Sequence, residues 1–150
     1  MDLCYFTIPG PPAAKAKTLG MIKGHATSFN SGKTKRFMAL VTLRASEARP
    51  PQPFDGPVNL SVVAVFQRPK KLTERYKDGR LKNGATEGRM LKDSKPDIAN
   101  VIKGIEDGIN GTGVWKDDSQ VCGYDGTRKY WAAIGEVPHT EIVVSAVEDF

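Results

Sequence analysis

Asp97-Ile-Ala-Asn-Val-Ile-Lys-Gly-Ile-Glu-Asp-Gly-Ile-Asn110 is the stretch from which the rest of the chain can be placed. At about 100° per residue, Ile98, Val101, Ile102, Ile105 and Ile109 share an arc of about 100°, a compact apolar face. Asn100, Lys103, Gly104 and Asp107 fall on the opposite side. The spacing predicts an amphipathic helix from about Asp97 to Asn110, with Asn110-Gly111 suited to a left-handed C-terminal cap. Pro96 restricts Lys95 to extended backbone and suits a first helical turn, which puts Asp97 at the helix start. A carboxylate there either caps the free N–H groups or binds a cation.

Upstream lies a strongly basic segment. From Arg68 to Lys95 there are ten Lys or Arg against four acids, a local net of +6, whereas the whole chain of 150 residues carries only +5. The excess positive charge is therefore confined to one segment, which reads as a loop. Such a loop either contacts a phosphate backbone, releasing its condensed counterions, or is simply solvated. Before it, Val58-Asn-Leu-Ser-Val-Val-Ala-Val-Phe-Gln67 places Val58, Leu60, Val62, Ala64 and Phe66 on one face at period two, the clearest strand in the chain.

Further out, Leu3 to Ile8 reads as a strand halted at Pro9-Gly10-Pro11-Pro12. Gly20 to Gly32 suits a hairpin or mobile loop. Lys35 to Arg49 reads as a helix with Pro50-Pro51 beyond its end. Downstream, a short turn leads through Trp115 to Asp117-Asp118 and then two expected strands, Ser119 to Trp131 and Glu141 to Val147. The order favours an α/β fold, a single domain over residues 1–150 with one mixed β-sheet flanked by helices.

Several classes are excluded or disfavoured. A hydrophobic fraction of 39% with 26% charged residues describes an ordinary globular chain rather than a disordered one. No apolar run approaches the roughly 18 residues of a membrane span. Cys4 and Cys122 have neither metal-finger spacing nor a disulfide framework and read as two idle thiols. With no basic-then-apolar opening, the expectation is a reduced, cytoplasmic protein.

The pieces around the central helix form a pattern. Lys95-Pro-Asp97-Ile-Ala-Asn100, then Lys103, Asp107, Asn110-Gly111 and Trp115-Lys-Asp117-Asp118-Ser-Gln-Val121 resemble the signature of the RusA Holliday-junction resolvases. Ile8-Pro-Gly-Pro-Pro12 and Phe66-Gln-Arg-Pro69 are similar to that family as well. The resemblance implies a homodimer that cuts four-way DNA junctions in recombination and repair, using Mg²⁺ or Mn²⁺. It assigns Asp97 and Asp118 as metal-binding, catalytic acids and Lys103 as the active-site lysine. Asp117 would be an outer partner and Asp107 a structural or supporting group, and Asn100 fits either a supporting hydrogen bond or helix-start structure. Hard metals held by carboxylates supply what phosphodiester hydrolysis needs: an activated water and neutralised phosphoryl charge. Within that reading Lys70, Lys71, Arg75 and Lys95 become the expected DNA contacts.

One position departs from the pattern. Ala99 stands where the family usually has a second aspartate, and residues two apart near a helix start can point to one side and clamp one ion. Either other acids complete the clamp, or the aspartate has been replaced to leave an inactive protein that still binds junction DNA without cutting it.

Overall fold

The computed structural model describes residues 1–15, 17–22 and 25–148. In chain order these form β1 (Asp2–Pro9), a hairpin of β2 (Lys17–Ile22) and β3 (His25–Asn30), α1 (Gly32–Ala48) and β4 (Val58–Phe66). Then come β5 (Met90–Leu91), α2 (Ile98–Ile109), β6 (Val121–Gly123), β7 (Arg128–Trp131) and β8 (His139–Ala146). The main sheet runs β1-β8-β4-β7-β5, and β6 pairs with β4 below β7. β8 is antiparallel to both β1 and β4, whereas β6 and β7 are parallel to β4, so the sheet is mixed as expected. Gly20 falls within β2 of this pair, and residues 23–24 lie outside the described residues.

Register explains where the core sits. Cys4, Val144 and Leu60 form one rung across three strands, Phe6, Ile142 and Val62 the next, and Ile8, Thr140 and Ala64 a third. All nine are buried. The residues between these rungs are half-buried or exposed, the alternation of a sheet covered on one face, and it breaks only past the third rung, where Val65 is buried on the other side. Phe37, Val41 and Ala45 of α1 and Val101, Ile105 and Ile109 of α2 complete the same core, so both helices lie on that face.

Two expectations need correction. Gly104, assigned to the polar side of α2, is buried, and so is Gly108. α2 therefore has a second buried stripe, Gly104 and Gly108, where it crosses α1. A Cβ at Gly108 would stand 2.8 Å from Val41 Cγ1 and 3.2 Å from the Met38 carbonyl oxygen. Helix propensity favours Ala over Gly by about 1 kcal/mol, but overpacking against backbone costs about 1–3 kcal/mol. Gly108→Ala is thus expected to lower the thermal unfolding midpoint, and an unchanged or raised midpoint would show that α1 yields freely.

The single strand expected from Ser119 to Trp131 is also broken. Asp118–Gln120 is a short 3-10 turn, and β6 and β7 are separated by a tight turn closed by the Thr127 amide on the Tyr124 carbonyl. Gly126 adopts φ +87°, a conformation that leaves the sheet plane. Asn59 of β4 fills the gap, donating to the Asp125 carbonyl and accepting from the Asp125 amide at 2.8 Å. Its carboxamide meets the Asp125 backbone, while Thr127 Oγ1 accepts from the Val62 amide and donates to the Leu60 carbonyl on β4. No helix among the described residues is long and apolar enough to cross a membrane.

Candidate active site and nucleic-acid face

Asp97 is the N-cap residue of α2, in extended conformation, yet its side chain makes no capping hydrogen bond. Pro96 lies just before the cap rather than inside the first turn. Of the two roles open to this carboxylate, capping is therefore not taken up. The segment leading to it is held by buried and half-buried lysines. Lys92 Nζ donates to Ser94 Oγ and the Lys95 carbonyl, and Lys129 Nζ donates to the carbonyls of Ser94 and Pro96 at 2.7 and 2.8 Å. Burial pulls the Lys92 ammonium below the ordinary lysine range, with the neighbouring Lys129 charge adding to the effect. Neither lysine was singled out by sequence, because nothing local marks a residue that reaches across strands.

At the other end of α2 a second group is assembled. Buried Trp115 donates its Nε1–H to Asn110 Oδ1 at 2.8 Å, so the Asn110 amide must turn its Nδ2 toward Asp118, whose Oδ2 accepts at 2.9 Å. Asp118 Oδ1 accepts no hydrogen bond among the described residues. Asp117 instead caps the 3-10 turn. Bonds from Ser119 hold its carboxyl below the usual range, and Gln120 closes the turn onto the amides of Lys116 and Asp117.

Glu106 joins this group and was missed by sequence reasoning. Its carboxylate accepts from the Tyr124 hydroxyl at 3.0 Å. Burial raises its pKa, and the charges of Asp118 and Asp107 push the same way while Tyr124 and Lys103 oppose. Burial and Glu106 together push the Tyr124 phenol up to about 12. On the helical projection Glu106 falls between the apolar and polar sides, a position that drew no notice. Asp107 is taken by an ion pair with Lys15.

The two groups are far apart. Thirteen helical steps from Asp97 to Asn110, at about 1.5 Å each, span about 20 Å. Asp97 sits at the sheet end carrying Phe66 and Trp131, and Asp118 at the end where β4 begins. The structure thus does not bring Asp97 and Asp118 together within one chain. Exposed Lys103 lies between them, about 9 Å along the helix from Asp97. Ala99 is exposed in the first turn of α2, which contains no acid. Among the described residues no three His, Cys, Asp or Glu side chains form a group able to hold a metal.

The basic segment has little regular structure but is well tied. Arg68 is buried and its guanidinium donates to the carbonyls of Ala132, Leu72, Thr86 and Gly88. Its charge therefore serves the loop's backbone rather than the surface. Arg75 pairs with Glu87, Arg80 with Asp78, and Arg89 with Glu136 and Glu141. Lys70 and Lys71, on a short 3-10 turn directly after β4, and Lys95 are exposed and make no ion pair among the described residues. Of the four expected DNA contacts, three thus offer free charge and Arg75 is partly neutralised.

Comparison with known proteins agrees with this arrangement of motifs. The chain is 32% identical to the uncharacterized protein YqaN of Bacillus subtilis (strain 168), over 98% of its own length and 99% of that protein's. The family model described as endodeoxyribonuclease RusA matches residues 9–145, nearly the whole chain. The shared pattern runs from the proline turn after β1 through both ends of α2 and into β8, and on that basis the chain belongs to the RusA endodeoxyribonuclease family.

Proposed function

We propose that residues 1–150 act as one endonuclease domain that cuts four-way DNA junctions as a homodimer, with Mg²⁺ or Mn²⁺ at a site shared between subunits. The observation that carries this reading is the placement of two available carboxylates, Asp97 and Asp118, at opposite ends of one helix. Carboxylate oxygens suit a hard divalent cation. A cation needs its ligands within about 2.0–2.6 Å, which the roughly 20 Å of helix backbone from Asp97 to Asn110 opposes in one chain. A two-fold pairing that sets the α2 helices side by side in opposite directions brings Asp97 of one copy near Asp118 of the other, twice over. It also matches two equivalent sites to the two incisions a junction requires. Asp97 and Asp118 would hold such an ion, which when bound would supply water activation and neutralisation of phosphoryl charge. The chain's own groups do the rest: Asn110 orients Asp118, and Lys103, midway along the helix, meets the charge that develops on the phosphate. The Lys92 and Lys129 bonds fix the approach of Asp97.

Single-turnover cleavage of a synthetic four-way junction, a flap and a linear duplex, in Mg²⁺ and in Mn²⁺, tests the assignment. Preference for the junction is expected. Equal rates on linear duplex would reduce the protein to a general nuclease, and no junction binding even at low salt would remove the reading.

The free lysines after β4 make a separate expectation. Replacing Lys70 and Lys71 by Gln should weaken junction binding and reduce the slope of log affinity against log salt by about one unit per lost phosphate contact. An unchanged slope would leave this loop as a solvated surface.

A second reading is a protein that binds junctions without cutting. It is favoured by the alanine at position 99 and by the lack of a three-acid group among the described residues. Binding without cleavage in either metal would select it.

A further inference from the structure

Beside Asp97 lies an open groove that the reading above does not use. Phe66 and Trp131 line it from β4 and β7, Pro11 and Pro96 from the turns, and Lys33 and Lys95 supply its cations. It is continuous with the depression holding Asp97 and Asn100, since Ala14, Lys95 and Pro96 border both. The indole and phenyl rings are only half-buried, and Lys92 Nζ sits 4.1 Å from the Trp131 ring centroid, adding positive charge beneath the floor. Gln67, exposed at the groove's edge, has a carboxamide that makes no hydrogen bond among the described residues.

An occupant that satisfies this surface combines a flat apolar ring with an adjacent anion. Both rings and the proline faces are sequence-tolerant stacking surfaces, as every base has a π-face. The lysines complement phosphate. A strand whose phosphate lies at Asp97 would place its neighbouring base one nucleotide away, within the groove, provided that base has left its stack. Branch points offer such bases at reduced cost, because stacking is already interrupted there.

We propose that this groove holds one unstacked nucleobase next to the reacting phosphate, with Trp131 and Phe66 as its stacking floor and Gln67 at its hydrogen-bonding edge. This rests on the DNA-cleaving reading and adds to it a base-recognition site that would set which nucleotide flanks the cut.

The test uses the full chain without metal and single-stranded tetranucleotides, which carry no unpairing cost. Tetramers with bases are compared with abasic tetramers of identical phosphate count, following binding by tryptophan fluorescence. Base-bearing tetramers are expected to bind at least about tenfold tighter and to quench Trp131, Trp115 being buried. Ala14→Leu, which enlarges a residue on the groove's lining, should shrink that difference to less than about twofold. Equal binding of both tetramers by the parent protein, or a difference that survives Ala14→Leu, overturns the proposal. So does a parent showing no base dependence whose dimer is lost in Ala14→Leu, which assigns the groove to a subunit contact. A readout that needs no variant is photocrosslinking of tetramers bearing 5-iododeoxyuridine, with adducts expected on peptides containing Trp131 or Phe66. Adducts confined to other peptides overturn it too. A four-way junction run in parallel separates the failures: junction binding without base dependence sinks only the groove, and loss of junction binding sinks the nuclease reading itself.

Discussion

Mixing equal amounts of Asp97→Asn and Asp118→Asn proteins, each inactive alone, is expected to restore nicking of a four-way junction. The reason is the length of α2, whose backbone runs about 20 Å from Asp97 to Asn110, the residue that holds Asp118. If each site takes Asp97 from one subunit and Asp118 from the other, a mixed dimer has one doubly damaged site and one intact site. Random re-association makes about half the dimers mixed, so about a quarter of all sites are intact. Products should be nicks rather than paired cuts, since only one site per dimer works. Native mass spectrometry of the mixture establishes that subunits have exchanged. Should the mixture remain as inactive as its components after exchange, each site must be complete within one chain. Asp118 would then have to find partners such as Glu106, and Asp97 would have another role. If Ala99 makes the parent rate too slow to follow, the same exchange can be run with Asp at position 99 in both proteins.

Ala99→Asp is expected to raise the single-turnover cleavage rate at least about tenfold, about 1.4 kcal/mol of barrier. The added carboxylate would stand two residues from Asp97, where the backbone passes from extended to helical, on an exposed first turn that contains no acid. A further anionic ligand strengthens attraction for a divalent ion and narrows its placement, and loose placement slows chemistry even when substrate binds well. Stability should barely move. Asp is a poorer helix former than Ala by about 0.5 kcal/mol, but an acid in the first turn regains about 0.3–1 kcal/mol from the helix dipole. A rate change without a matching shift in unfolding midpoint therefore separates ligand supply from helix repair. Metal-free affinity for junction DNA should stay similar or fall slightly, because the carboxylate repels phosphate. Equal rates for both proteins would show that position 99 supplies no ligand here. A brisk rate from the Ala99 protein that disappears in Asp118→Asn would show that the acids already present suffice.

The sequence by itself determined the elements that depend on local periodicity. The period-two run from Val58 to Phe66 became β4, the helical apolar arc became α2, and the mixed sheet with helices followed from their order. The family signature was equally legible, because it is a set of fixed spacings along one helix and its flanks. Tertiary structure decided everything that depends on which groups meet. Gly104 looks polar-facing on a projection, yet it is buried, as is Gly108 where α2 crosses α1. The strand expected to end at Trp131 is split at the turn around Gly126, where Asn59, 66 residues from Asp125, meets that residue's backbone. Charge reads from sequence as a sum, but Arg68 and Arg75 spend theirs on carbonyls and on Glu87 while Lys70, Lys71 and Lys95 keep theirs free. Above all, the resemblance assigns Asp97 and Asp118 as metal-binding acids without saying whether one chain brings them together. A rigid helix about 20 Å long between them is what separates the two acids, because its rise per residue is fixed by backbone hydrogen bonding.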